Sequence, residues 1–178
     1  VQAAAETVRA RAVAAGDAAE TAEIPVATLA QATPDDEEQA REFAAMVDAA
    51  VEQRWPAVSF TFGLPSPEVF ARLAAAGVPA GVTVTDAGQA SEAVAAGAEF
   101  LTVQGPAAGG HQGGTRHPAV TDAGRPVGVE ETARLVREVR QTVGGSVPVV
   151  AAGAIMRAED VAAVLEAGAA AAQGGTPF

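Results

Sequence analysis

An α/β fold built on a parallel sheet is what this sequence predicts, and three observations predict it. From residue 57 onward, short β-branched and apolar runs alternate with longer stretches whose apolar residues recur at three and four positions, the pattern of successive β/α units. Three of the helical stretches end alike, in Ala76-Gly77-Val78, Ala96-Gly97-Ala98 and Ala167-Gly168-Ala169, each placing glycine where a left-handed cap turns the chain back toward a strand. Glycine-rich segments also follow the apolar runs directly, at the strand ends where parallel folds build their sites.

Taken in order, the first third is the least strand-like. Residues 1–15 and 35–54 are Ala/Glu-rich and helical in pattern, and only 24–29 could be a strand, which Pro25 demotes to an edge or a non-strand. Strands are expected at 57–62, 80–84, 100–104, 147–152 and 169–173, with helices at 67–76, 87–96, 130–143 and 158–167 between them. In the first strand Phe60 and Phe62 would share one face and Ser59 and Thr61 the other. Phe60 is expected in the core; Phe62 is open between core and the mouth of a site. The repeated helix, glycine, strand unit fits either a (β/α)8 barrel or a doubly wound sheet. A complete barrel typically needs about 250 residues, more than the 178 here.

Composition narrows the chemistry. The 11 basic residues are all Arg, against 22 acidic ones, for a net charge of −11, which repels phosphate backbones and anionic lipid surfaces. Neither nucleic acid nor membrane is an expected partner, and no run reaches the length of a membrane span. Without Lys or Cys, Schiff-base, P-loop-lysine, thiolate and Cys-metal chemistries are excluded. The cysteine-free composition fits a cytoplasmic location. The acidic runs Asp35-Asp36-Glu37-Glu38 and Glu130-Glu131 open predicted helices, where the macrodipole favours them. No spacing of His and carboxylates resembles a metal site.

The richest candidate segment runs from Gln104 to Gly128 and holds Gly105, Gly109, Gly110, Gly113, Gly114 and both histidines, His111 and His117. Glycines let backbone approach a flat ligand, and histidine titrates where proton abstraction near neutral pH needs it. The residues alone leave His111 open between a base in a site and a solvated loop residue; His117, beside Pro118, reads as surface. Two further strand ends, Ala151-Ala152-Gly153-Ala154 and Ala172-Gln173-Gly174-Gly175-Thr176, are each an ordinary tight turn by themselves. Together, as consecutive turns, they have the form of a phosphate cradle.

In order and spacing over roughly 57–178, the segments Val58-Ser59-Phe60-Thr61-Phe62-Gly63, Val103-Gln104-Gly105, Ala108-Gly109-Gly110-His111, Ala151-Ala152-Gly153 and Gln173-Gly174-Gly175-Thr176 resemble the nitronate monooxygenase family, once called 2-nitropropane dioxygenases. A weaker similarity runs to the flavin-dependent enoyl reductases of the same superfamily. The resemblance implies a single FMN-binding (β/α)8 TIM-barrel domain over 1–178, incomplete at its N-terminal side and lacking the family's C-terminal segment. It implies oxidation of alkyl nitronates, such as propionate 3-nitronate, with O2. By the same resemblance His111 would be the catalytic base, and Gln104, Gly109 and Gly110 would approach FMN. Gly153 and Gln173, Gly174, Gly175 and Thr176 would hold its phosphate. The chain departs from the family pattern at Ala154, where a second glycine is usual, at Gly174, where a larger apolar residue is usual, and in having no Asn to contact FMN. An inactive β/α remnant or phosphate-ligand module, and an NAD(P)H-using flavin reductase, are the alternatives. No G-x-G-x-x-G fingerprint supports the last.

Overall fold

The computed structural model describes residues 37–109, 111–114 and 128–175; the expected helix at 1–15, the run 24–29 that Pro25 demotes to an edge or a non-strand, and His117 lie outside them. The elements are α1 (Glu37–Glu52), β1 (Val58–Phe60), α2 (Pro67–Ala75), β2 (Ala80–Val84), α3 (Ala87–Ala96), β3 (Phe100–Gln104), α4 (Val129–Val143), β4 (Val149–Ala152), α5 (Ala158–Glu166) and β5 (Ala171–Gln173). All five strands are parallel and lie in the order β1-β2-β3-β4-β5.

That order decides between the two architectures the repeat allowed. A doubly wound sheet reverses direction at a switch point, so its strand order departs from sequence order. Here each crossover steps to the next position in the same direction, and right-handed crossovers of that kind put every helix on one face. The result is five consecutive units of a (β/α) barrel wall.

Side-chain parity divides the sheet. Phe60, Val82, Leu101 and Val149 stand in one cross-strand row and are all buried, as are Val84, Val103 and Ala151 two residues on. A Cβ on Gly105, next in the same alternation, would strike Thr132 of α4, so this face looks onto the helices. The opposite face carries Ser59, Gly81, Thr83, Phe100, Thr102, Gln104, Val150 and Ala152, a run richer in hydroxyls. α1 joins the core through Phe43, whose ring meets Phe60 at 6.0 Å, and Phe60 meets Phe70 of α2 edge-on at 5.8 Å.

The three glycine caps form as expected. Gly77, Gly97 and Gly168 have φ of 72°, 112° and 103°. The residue after each donates back five positions, Val78 to Leu73, Ala98 to Ala93 and Ala169 to Val164, the Schellman bond that satisfies a helix-end carbonyl.

Strand bounds are shorter than the sequence suggests, for local reasons. β1 stops at Phe60 because the chain enters the left-handed region at Phe62, φ 68°. Val147 and Ala169 are buried but outside their strands. The Val147 carbonyl accepts from the Arg140 guanidinium, and the Ala169 N–H belongs to the cap of α5.

Candidate active site at the strand ends

Because the strands are parallel, the loops after β1, β2, β3, β4 and β5 all leave from one rim. The segment 111–114 folds back across that rim instead of pointing to solvent. Phe62 donates its N–H to the Gly113 carbonyl (2.9 Å), and Gly113 donates to Gln104 Oε1 (2.6 Å). The same amide's Nε2 donates to the His111 carbonyl (3.1 Å). A Cβ on Gly113 would lie 2.8 Å from the methyls of both Thr61 and Thr83, whose hydroxyls pair at 3.0 Å. Only glycine permits this contact. Gly114 presses likewise on Thr85 and Gln89.

His111 thereby comes to the rim with its side chain exposed and its ring edge-on to Phe62, centroids 6.1 Å apart at 87°. Phe62, left open by the sequence between core and site mouth, is half-buried and stands at the strand-end rim beside His111. Next to His111, Gln112 buries its side-chain oxygen with no partner among the described residues. An orphaned buried acceptor costs about 1–3 kcal/mol unless a donor beyond the described residues meets it.

Under Gly114 lies a small polar network that the sequence reading missed. Asp86 caps α3 by accepting from the Gln89 N–H at 2.8 Å. Gln89 Nε2 donates to Asp86 Oδ2 at 2.7 Å and to Thr85 Oγ1 at 3.1 Å. The signal was present: Asp86 with Gln89 three residues on, before an apolar periodic run, is a capping box.

The glycine turns after β4 and β5 are neighbours, since Ala152 registers with Gln173 and Gln104 with Ala152. Gln104 and Gln173 are thus two strands apart, roughly 10 Å by strand spacing. Gly153 has φ 97° and packs against Ala108 and the Gly105 backbone, with about 3 Å of clearance for any added Cβ. Its carbonyl accepts from the fully buried Thr132 Oγ1 at 2.9 Å. Ala154 follows at φ 58°, a left-handed conformation that costs a non-glycine residue about 1–2 kcal/mol.

No hydrogen bond to another described residue engages the N–H groups of Gly153, Ala154, Gly174 or Gly175. Gln173, Gly174 and Gly175 are exposed, as is Gly109, around which a Cβ would meet nothing. Gly110 and Thr176 lie outside the described residues. Among the described residues no group of His, Asp and Glu could hold a metal, and no helix is long and apolar enough to cross a membrane.

The β4 turn is shaped from behind by Asp160, in the first turn of α5, whose Oδ2 accepts from Met156 N (3.0 Å) and Arg157 N (2.9 Å). The Met156 N–H chiefly, with the Arg157 N–H and guanidinium, holds this carboxyl below its ordinary range against a smaller opposing effect of burial.

A family model described as nitronate monooxygenase matches residues 4–178 of this chain. The chain is 39% identical over 135 residues to a nitronate monooxygenase of Paraburkholderia phytofirmans, covering 75% of this chain and 34% of that protein. It is 41% identical over 128 residues to a nitronate monooxygenase of Pseudomonas aeruginosa, covering 72% and 34%. Among solved structures, nitroalkane oxidase from Streptomyces ansochromogenes superposes with a TM-score of 0.65 at 35% identity, over 97% of this chain and 46% of that one. The chain spans about a third of the length of these curated relatives.

Two outcomes follow from the turn after β4. Thr132→Val keeps the side chain's shape but strands the Gly153 carbonyl, and is expected to lower unfolding free energy by about 1–3 kcal/mol in urea titrations. For Asp160, a carboxyl lowered on folding stabilises the fold above the unfolded-state pKa, and the contribution disappears as pH falls through the lowered value. Asp160→Asn should therefore lose stability at neutral pH and show a flatter acid limb than the parent when melting temperature is followed from pH 7 to pH 2.

Proposed function

Since the chain belongs to the nitronate monooxygenase family, we propose that it carries the FMN-dependent oxidation of alkyl nitronates with O2, propionate 3-nitronate being the model substrate, and that His111 is its base. The observation that supports this most is the seating of the His111 loop across the rim of β1 to β3, beside the glycine turns of β4 and β5. A flexible surface loop would not have its backbone bound on both sides.

The residues present fit the cofactor. Neighbouring turns whose N–H groups at Gly153, Ala154, Gly174 and Gly175 have no hydrogen-bond partner among the described residues have the form of the donor set a phosphate dianion requires. Thr176 would add a hydroxyl and Gln173 an amide. Gly109 and Gly110 would let backbone lie close to a flat ring, with Gln104 beneath the loop, and the orphaned Gln112 oxygen could accept from a ring N–H. When bound, FMN supplies the electron transfer from the substrate and the reaction with O2.

The chain's own part is positioning and one proton. An imidazole nitrogen of His111 takes the proton from the carbon beside the nitro group, leaving imidazolium and an anionic nitronate. In a chain of net charge −11 that imidazolium is the local positive charge that holds the anion in place. A substrate supplied already as the nitronate needs only the second half of this role. Phe62, edge-on to the ring, limits how His111 can turn and narrows the entrance for water.

Two measurements test the reading on the chain as it stands. Flavin absorbance should persist after gel filtration with added FMN; a protein that stays colourless overturns the cofactor assignment. His111→Ala should keep FMN but slow O2 consumption on a neutral nitroalkane by about 10²–10⁴-fold, the usual worth of a general base. A variant with parental turnover refutes the base. FMN retention with no turnover in the parent would instead favour a phosphate-ligand module.

A further inference from the structure

We propose that Gln104 is a positioning residue that sets the orientation of His111 through the loop backbone, a role that rests on the reading of His111 as the base. The amide of Gln104 meets the loop with its donor and its acceptor at once, Nε2 to the His111 carbonyl at 3.1 Å and Oε1 from the Gly113 N–H at 2.6 Å. These two backbone groups flank Gln112, so the amide closes a ring around 111–113 and copies what a neighbouring strand would do.

From the other side, the Phe62 N–H holds the Gly113 carbonyl at 2.9 Å and the Phe62 ring meets the imidazole. The loop is thus pinned between β1 and β3, with Gly113 over the methyls of Thr61 and Thr83. An amide suits the place that Gln104 fills, because its donor and acceptor lie side by side at the end of a long side chain. The pairing needs a donor and an acceptor in one planar group, and the chain contains no Asn. Glu in its place keeps the acceptor and loses the donor; Met fills similar volume and loses both.

The test is nuclear magnetic resonance on the full chain without ligand. With only two histidines, the His111 ring is assigned by comparison with a His117→Gln variant. In Gln104→Met, exchange of the Gly113 amide should quicken about tenfold, as loss of one such hydrogen bond allows. The nuclear Overhauser contact between the Phe62 and His111 rings should vanish while Val103 of β3 exchanges as in the parent. An unchanged Gly113 rate with the ring contact kept overturns the proposal. If Val103 also exchanges faster, Gln104→Glu decides: loss of the ring contact with Gly113 protection retained supports the role, and a retained ring contact refutes it. None of these signals depends on turnover, so failure of the base assignment, seen with His111→Ala, is separately visible.

Discussion

The hydroxyl of Thr132 is the contact on which the rim depends. It sits, fully buried, in the space that Gly105 leaves by having no side chain, and from there it donates to the Gly153 carbonyl at 2.9 Å. Gly105 begins the loop that carries His111; Gly153 begins the turn proposed to hold the phosphate. Together with the Gly105 N–H, which donates to the Ala152 carbonyl at 2.8 Å, this hydrogen bond from a helix ties the two halves of the candidate site to each other. Backbone approach this close is available only where both strand ends are glycine, so the glycines are set by packing behind the site as much as by any ligand before it.

The two faces of the sheet show how a narrow alphabet still separates core from site. On the helix side the rows are Phe, Val, Leu and Ala, buried almost without remainder. On the other side threonines recur at 61, 83 and 102. Threonine is as stiff and as compatible with strands as valine, but its hydroxyl can pair, as Thr61 and Thr83 do. The methyls of the same two residues form the floor under Gly113. A β-branched polar residue thus serves the strand, the floor and the polarity of the face together.

Two of the three non-glycine residues with left-handed φ among the described residues lie at this rim, the third being Arg54 after α1. Phe62 and Ala154 adopt left-handed φ without being glycine, one beside His111 and the other in the β4 turn. Such conformations persist where surrounding structure over-determines them. Here the holds are visible: the Phe62 N–H is bound to Gly113, and the turn containing Ala154 is bracketed by Thr132 on one side and Asp160 on the other.

By itself the sequence determined the alternation of strands and helices, the glycine caps at 77, 97 and 168, and the family, because these are encoded locally in period, capping chemistry and short motifs. It also singled out His111 and the paired glycine turns. It did not reveal that Gln104 clasps the loop, that Thr132 joins two strand ends, or that Thr83, Thr85 and Gln89 support the glycines from below. These partners are between 7 and 30 residues apart and meet only once neighbouring strands are in register. The choice between barrel and doubly wound sheet was likewise open to periodicity, since both repeat the same unit. Strand order settled it, and strand order is a property of how units pack on one another rather than of any one of them.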